Sequence, residues 1–162
     1  MQTHVDPRLL LNPVHLLSLG FGSGLAPKAP GTAGTLVAIP IYLLMIGLSP
    51  VAYLLITLFL LYTGIHLCQS TAQRLGVHDH PAIVWDEIVG YLLTMVAVPF
   101  DWTWIVAGFA LFRLFDVWKP WPIGFLDRRV SGGIGIMLDD LLAAVYASIV
   151  LQLVIYLTGG VL

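Results

Sequence analysis

The chain has 162 residues, of which 59% are hydrophobic and only 10% charged, with a formal net charge of −2 and a mean hydropathy of +0.94. That balance excludes an ordinary soluble domain, which needs a charged surface, and suggests no nucleic-acid partner; it places the chain among integral membrane proteins. A single cysteine, Cys68, excludes an internal disulfide.

The first 24 residues read as a cytoplasmic or interfacial segment. Leu9-Leu10-Leu11 is broken by Asn12-Pro13 and no small-residue cleavage pattern follows, so no cleavable signal is expected. Leucines along one side of residues 9–20 predict a short helix lying on the leaflet, with a disordered tail as the alternative. No Asp, Glu, Lys or Arg occurs between Lys28 and Arg74, or after Asp140. Five hydrophobic segments are predicted, at 35–48, 51–68, 84–98, 102–115 and 137–157. Together they make an all-α polytopic membrane bundle, one membrane-embedded domain over residues 1–162. Ser49-Pro50 and Pro99-Phe100-Asp101 are the turns of two helical hairpins. Pro40 is expected to kink the first segment or mark its true beginning. The third and fourth segments are short and carry Asp86, Glu87 and Arg113, so one or both are read as re-entrant or half-embedded.

If the N-terminus is cytoplasmic, Arg8, Lys28, Arg74, Arg113, Lys119, Arg128 and Arg129 all fall on the cytoplasmic side. Every Lys and Arg on one side is a positive-inside pattern, and it gathers the polar motifs at one face.

Four motifs carry the chemistry. Before the first segment, Ala26–Thr35 (APKAPGTAGT) offers Gly31 and Gly34 for close backbone approach, hydroxyls at Thr32 and Thr35, and a helix start with its positive dipole end. This is an anion cradle or, alternatively, a cap and turn. Opening the third segment, Trp85-Asp86-Glu87-Ile88-Val89-Gly90 sets two acids about 100° apart on a helix, able to line one cavity or merely to complement the dipole. Ending the fourth, Arg113, Asp116 and Lys119 recur every third residue and share a helix side. They read as phosphate donors flanking a metal-binding acid, or as a salt-bridged stripe at the membrane boundary. Opening the last, a glycine-rich approach at 132–135 leads to Asp139-Asp140, with no basic residue downstream to pair with; intramembrane acids mark functional sites by default.

Two further patterns are weaker. His78-Asp79-His80 reads as a polar loop rather than a zinc site, with Asp79 kept as a candidate metal ligand. Cys68 to Arg74 matches the C-x5-R spacing of cysteine phosphatases, but the intervening residues hold no glycine and continue a helix, so the match is read as coincidence.

Taken together and in this order, APKAPGTAGT, IVWDEIVG, FRLFDVWKPWPI and GGIGIMLDDLLA resemble the phosphatidylglycerophosphatase A family. The resemblance runs from about Pro13 into the final helix. Thr35 departs from the family pattern, where serine is expected, but keeps a hydroxyl. The resemblance implies a bacterial inner-membrane enzyme with its site facing the cytoplasm, hydrolysing phosphatidylglycerophosphate to phosphatidylglycerol and phosphate with Mg2+. Neither the Asp-x-Asp of haloacid-dehalogenase-type phosphatases nor the motif set of histidine-nucleophile lipid phosphatases is present. Asp86, Glu87, Asp139 and Asp140, with Asp79 or Asp116, are expected to hold one or two Mg2+, one acid serving as general base. Lys28, Gly31, Thr32, Gly34, Arg113 and Lys119 are the expected phosphate binders. Two other functions remain open on the sequence alone. One is a small cation- or proton-conducting protein whose acids line a pathway. The other is a lipid phosphotransferase.

Overall fold

The structure is a computed structural model that describes residues 5–77 and 79–159. Among them are seven α-helices and no strand: α1 (Pro13–Ser18), α2 (Pro30–Met45), α3 (Pro50–Leu75), α4 (Trp85–Thr94), α5 (Trp102–Trp118), α6 (Ile123–Asp127) and α7 (Gly132–Leu157). Short 3-10 turns, Pro7–Leu11 and Gly20–Leu25, flank α1.

Local chemistry sets three of the seven helix starts. Asn12, Ser49 and Asp101 each accept a hydrogen bond from the backbone N–H two or three residues on, and Pro13 and Pro50 follow their caps at the first helical position. Gly76, left-handed at φ 69°, ends α3.

All five hydrophobic segments are helical, with shifted ends. The first begins at Pro30, so Gly31–Gly34 is not a loop: it forms the opening turns of α2. Pro40 lies inside that helix and does not mark its start. The second and fourth run on to Leu75 and Trp118, while the third stops at Thr94. The last begins at Gly132, so the glycine-rich approach is itself helical. Residues 9–20 do not form one surface helix. Asn12-Pro13 splits them between the first turn and α1, whose His15 and Ser18 are buried. His15 Nδ1 pairs with the Thr71 hydroxyl of α3 at 2.9 Å. Of the expected polar loop 78–80, His78 lies outside the described residues.

Two helices, α3 and α7, are long and apolar enough to cross a membrane. α7 is the hub, packing against α3, α4, α5 and α6. Its Ala143, Ala144 and Ala147 are fully buried, and such small side chains let neighbouring helices come close. Outward faces carry exposed Leu55, Phe59, Val106, Ile149 and Leu153, apolar surface that a water-soluble fold would bury.

α4 is the buried element. Ten residues make it about 15 Å long, too short to cross a bilayer, and eight of its ten residues are buried. A helix that stops inside an apolar bundle strands its last carbonyls unless side chains satisfy them. Tyr53 donates its hydroxyl to the Leu92 carbonyl at 2.8 Å, and Gln152 donates its amide to the Val96 carbonyl at 3.0 Å. Apolar packing does the rest: Ile88 and Leu92 are fully buried, each worth roughly 1.5–3 kcal/mol. The result is a rigid short helix whose N-terminal turn is presented at one end of the bundle.

Candidate active site

Three helix ends meet there. α4 supplies Asp86 and Glu87 in its first turn, α7 supplies Asp139 and Asp140 two turns from its start, and the last turns of α5 supply Arg113 and Asp116, with Lys119 just beyond. With Ala29–Gly31 at the start of α2 and Asp79, Pro81 and Ile83 before α4, they line a cleft of about 340 Å³.

The acids fall into two overlapping groups. Carboxylate oxygens of Asp86, Glu87 and Asp140 lie within 4.8 Å of one another, and so do those of Asp116, Asp139 and Asp140. Asp140 belongs to both and is only 3% exposed. Two cations answer these five carboxylates. Arg113 Nη1 hydrogen-bonds Asp116 and stands 3.7 Å from Glu87. Lys119 Nζ is 2.6 Å from Asp139 and 3.2 Å from Asp127. Burial alone would lower the Lys119 pKa, but its hydrogen bonds to Asp139 and Asp127, and their charges, raise it above the usual lysine value. Lys119 is therefore a permanent cation here.

Five carboxylates against two cations leave an excess of negative charge in a poorly solvated place. Such a cluster must either take up protons or bind a cation. Glu87 Oε2 is buried with no hydrogen-bond partner, an acceptor left over. Both groups offer only carboxylate oxygen, with no histidine or cysteine, which is the donor chemistry of Mg2+ and similar hard divalent ions. The residues fit such an ion.

The backbone is shaped around the cluster. A Cβ on Gly31 would strike the Glu87 carboxylate and come within 3.1 Å of Arg113 Nη1, so only glycine lets α2 approach this pair. Ala29 and Lys119, at φ 48° and 46°, hold left-handed conformations that side-chain-bearing residues adopt at some cost. Both line the cleft. α2 starts with no side-chain cap, and its N-terminal end, the positive end of the helix dipole, lines the cleft through Ala29–Gly31.

The structure thus brings together Asp86, Glu87, Asp116, Asp139, Asp140, Arg113, Lys119 and Gly31. Asp79 lines the cleft but is exposed and belongs to neither carboxylate group. Lys28 and Thr32 do not line it. Gly34 instead admits the Val84 side chain, which a Cβ there would meet at 2.6 Å, and Thr35 spends its hydroxyl on the Gly31 carbonyl at 2.9 Å. Arg113 and Lys119, expected as phosphate binders, are already engaged by acids. Gly90 receives the ring of Phe112 from α5, a helix contact and not a ligand's. Cys68 is fully buried in α3 beside Met137, and does not line the cleft. Sequence reasoning missed Asp127, the second partner of Lys119. Nothing in the pattern WKPWPIGFLD announces that pairing, which depends on how the chain turns between α5 and α6.

The family profile described as Phosphatidylglycerophosphatase A matches residues 16–155. Phosphatidylglycerophosphatase A of Escherichia coli K12 is 50% identical over 144 residues, 88% of this chain and 84% of that protein. The protein of the same name from Haemophilus influenzae is 48% identical over 149 residues, 91% of each chain. A third relative, from Bacteroides thetaiotaomicron, is 40% identical over 89% of this chain and 94% of its own; it bears the provisional name of a phosphatidylinositol-3-phosphatase. No solved structure matches the chain. With all four motifs inside the matched span, and the acids of the last three gathered in one cleft, this chain belongs to the phosphatidylglycerophosphatase A family of phosphatases.

Proposed function

We propose that this chain hydrolyses the terminal phosphomonoester of phosphatidylglycerophosphate, giving phosphatidylglycerol and inorganic phosphate for phospholipid synthesis. In this reading it is a Mg2+-dependent enzyme of the bacterial inner membrane with its cleft at the cytoplasmic face. The observation that carries the reading is the pair of carboxylate groups sharing Asp140 in a 340 Å³ cleft, in a chain half identical to a phosphatase named for that lipid.

Asp86, Glu87 and Asp140 would hold one ion, and Asp116, Asp139 and Asp140 a second if two bind. Bound there, Mg2+ supplies charge neutralisation for the phosphoryl group and a more acidic water. The chain's own residues do the rest. Lys119 and Arg113 hold Asp139, Asp116 and Glu87 in place and lend positive charge against the phosphoryl oxygens. The N-terminal end of α2, which lines the cleft, would add its positive dipole end. Asp79, exposed at the rim and outside both groups, is free to accept a proton from an attacking water.

The bundle also supports a membrane setting. α3 and α7 are long enough to span, and side chains of α3 and α7 hydrogen-bond the carbonyls of Leu92 in the last turn of α4 and of Val96 just beyond it, support that a half-embedded helix requires. α2 and α5 would complete the crossing, with α1 at the cytoplasmic interface and every Lys and Arg on that side. Acids clustered at one end of the bundle, and not along its depth, argue against a conducting pathway.

The test is product analysis with the purified protein in H2 18O. Phosphatidylglycerophosphate should yield phosphatidylglycerol and inorganic phosphate carrying one solvent oxygen. Phosphorylated product in the presence of an alcohol would instead make the protein a phosphotransferase. Release from phosphatidylinositol 3-phosphate alone would follow the Bacteroides relative's name.

A further inference from the structure

A second cavity, of about 360 Å³, lies beside the acidic cleft and is lined by Lys119, Trp121, Gly124, Phe125, Arg128 and Arg129. Lys119 lines both cavities, so the two adjoin through one side chain. Their chemistry is opposite: acids dominate the first, and the second has three cations and no acid in its wall. Among the described residues, neither Arg128 nor Arg129 forms an ion pair. The Arg129 guanidinium is instead 4.1 Å from the centre of the Phe125 ring, a stacking that orients its fork without neutralising it. Trp121 is 81% exposed beside it, an amphipathic ring of the kind found at lipid headgroup level.

Two uncompensated guanidinium groups beside a phosphomonoester site call for a second anion on the same ligand. The lipid proposed above carries one: its phosphodiester, separated from the terminal phosphate by a single glycerol. We propose that this basic, aromatic-walled cavity is the phosphodiester subsite of that substrate. Arg128 and Arg129 grip the bridging phosphate, Lys119 lies between the two anions, and Trp121 and Phe125 pack against the glycerol and the first carbons of the acyl chains. The subsite selects phosphomonoesters borne on a phosphodiester lipid over those attached directly to diacylglycerol. It rests on the hydrolysis reading, and adds a source of specificity to it.

The experiment uses the full-length protein in neutral detergent micelles, where no anionic surface competes. Phosphatidylglycerophosphate is compared with phosphatidate, which has the same tails and a phosphomonoester but no phosphodiester. For Arg128→Ala/Arg129→Ala, KM for phosphatidylglycerophosphate should rise about tenfold with a much smaller change in kcat. The preference for it over phosphatidate should fall by a similar factor, and Arg128→Lys/Arg129→Lys should recover part of both. An unchanged KM, or equal losses on the two lipids, overturns the subsite. So does a defect that appears only on vesicles containing phosphatidylglycerol, because it would make the arginines a membrane anchor. A wild-type protein inert toward phosphatidylglycerophosphate overturns the parent reading as well, and is recognised before any variant is measured.

Discussion

Asp140→Asn separates the electrostatic role of the shared acid from its catalytic one, because the two respond with opposite sign. Asp140 has oxygens within 4.8 Å of Asp86, Glu87, Asp116 and Asp139. At that distance, and an effective dielectric near 20, one unit of like charge costs about 3 kcal/mol. Several such pairs would approach the whole stability of a domain, about 5–15 kcal/mol, so without a cation the cluster either takes up protons or, where the pH keeps its acids ionised, is a strained element of the fold. The carboxamide keeps the shape and removes the charge. In EDTA, at an alkaline pH that keeps the parent's acids ionised, the variant should therefore melt higher than the parent; a gain of roughly 2 kcal/mol would move the midpoint by about 4–8 °C. Addition of Mg2+ should stabilise the parent strongly and the variant weakly, since both carboxylate groups lose a member. Turnover should fall at least a hundredfold, a loss of about 2.7 kcal/mol in transition-state stabilisation. The assay is a thermal melt in detergent with and without Mg2+, alongside phosphate release. A variant less stable than the parent in EDTA, with an undiminished response to Mg2+, would refute the reasoning.

Gly31→Ala should place a methyl group against the Glu87 carboxylate and Arg113; overpacking of this kind costs about 1–3 kcal/mol, and activity should drop more than tenfold in phosphate release while the protein still melts cooperatively. Cys68→Ala should cost about 1 kcal/mol or somewhat more as a buried truncation yet keep kcat within twofold; complete loss in a folded protein would revive a thiolate nucleophile. Burial first, and the Arg74 charge second, lower the His15 pKa below 6.5. Below that pH the unfolded chain takes up a proton that folded His15 resists, so stability present at neutral pH is lost as pH falls from about 6.5 toward the lower folded value. Melting midpoints measured from pH 8 to pH 5.5 should accordingly fall less steeply in His15→Gln than in the parent, and identical slopes would remove His15 from the account.

Periodicity and charge placement made the helical bundle and the acidic cluster legible in the sequence. Runs without charge longer than a helix turn can hide leave few alternatives, and acids flanked by apolar residues stand out for the same reason. Helix ends were less legible. Pro30 and Gly132 both begin helices, against the ordinary reading of Pro-Gly and Gly-Gly as loops, because their first turns are covered by neighbouring elements: Gly31 lies against Glu87, and Gly133 donates its amide to the Gln69 side chain. Gly34, read as part of an anion cradle, makes room for Val84, and Gly90 makes room for the Phe112 ring of a neighbouring helix. A motif states that something comes close; only tertiary packing says what. Asp116, set in a stripe with Arg113 and Lys119, was legible as an acid of interest, but not as a member of the same group as Asp139 and Asp140. That adjacency spans two helices and has no local signature.

The most direct measurement of the central claim is phosphate release from phosphatidylglycerophosphate by the purified protein before and after chelation. Activity in Mg2+ should fall to background in EDTA and return when Mg2+ is restored in excess. Glu87→Gln should need a higher Mg2+ concentration for whatever activity it keeps. Turnover that continues at its full rate in EDTA, in protein shown to be metal-free, would contradict the assignment of the carboxylate cluster as the metal-dependent centre.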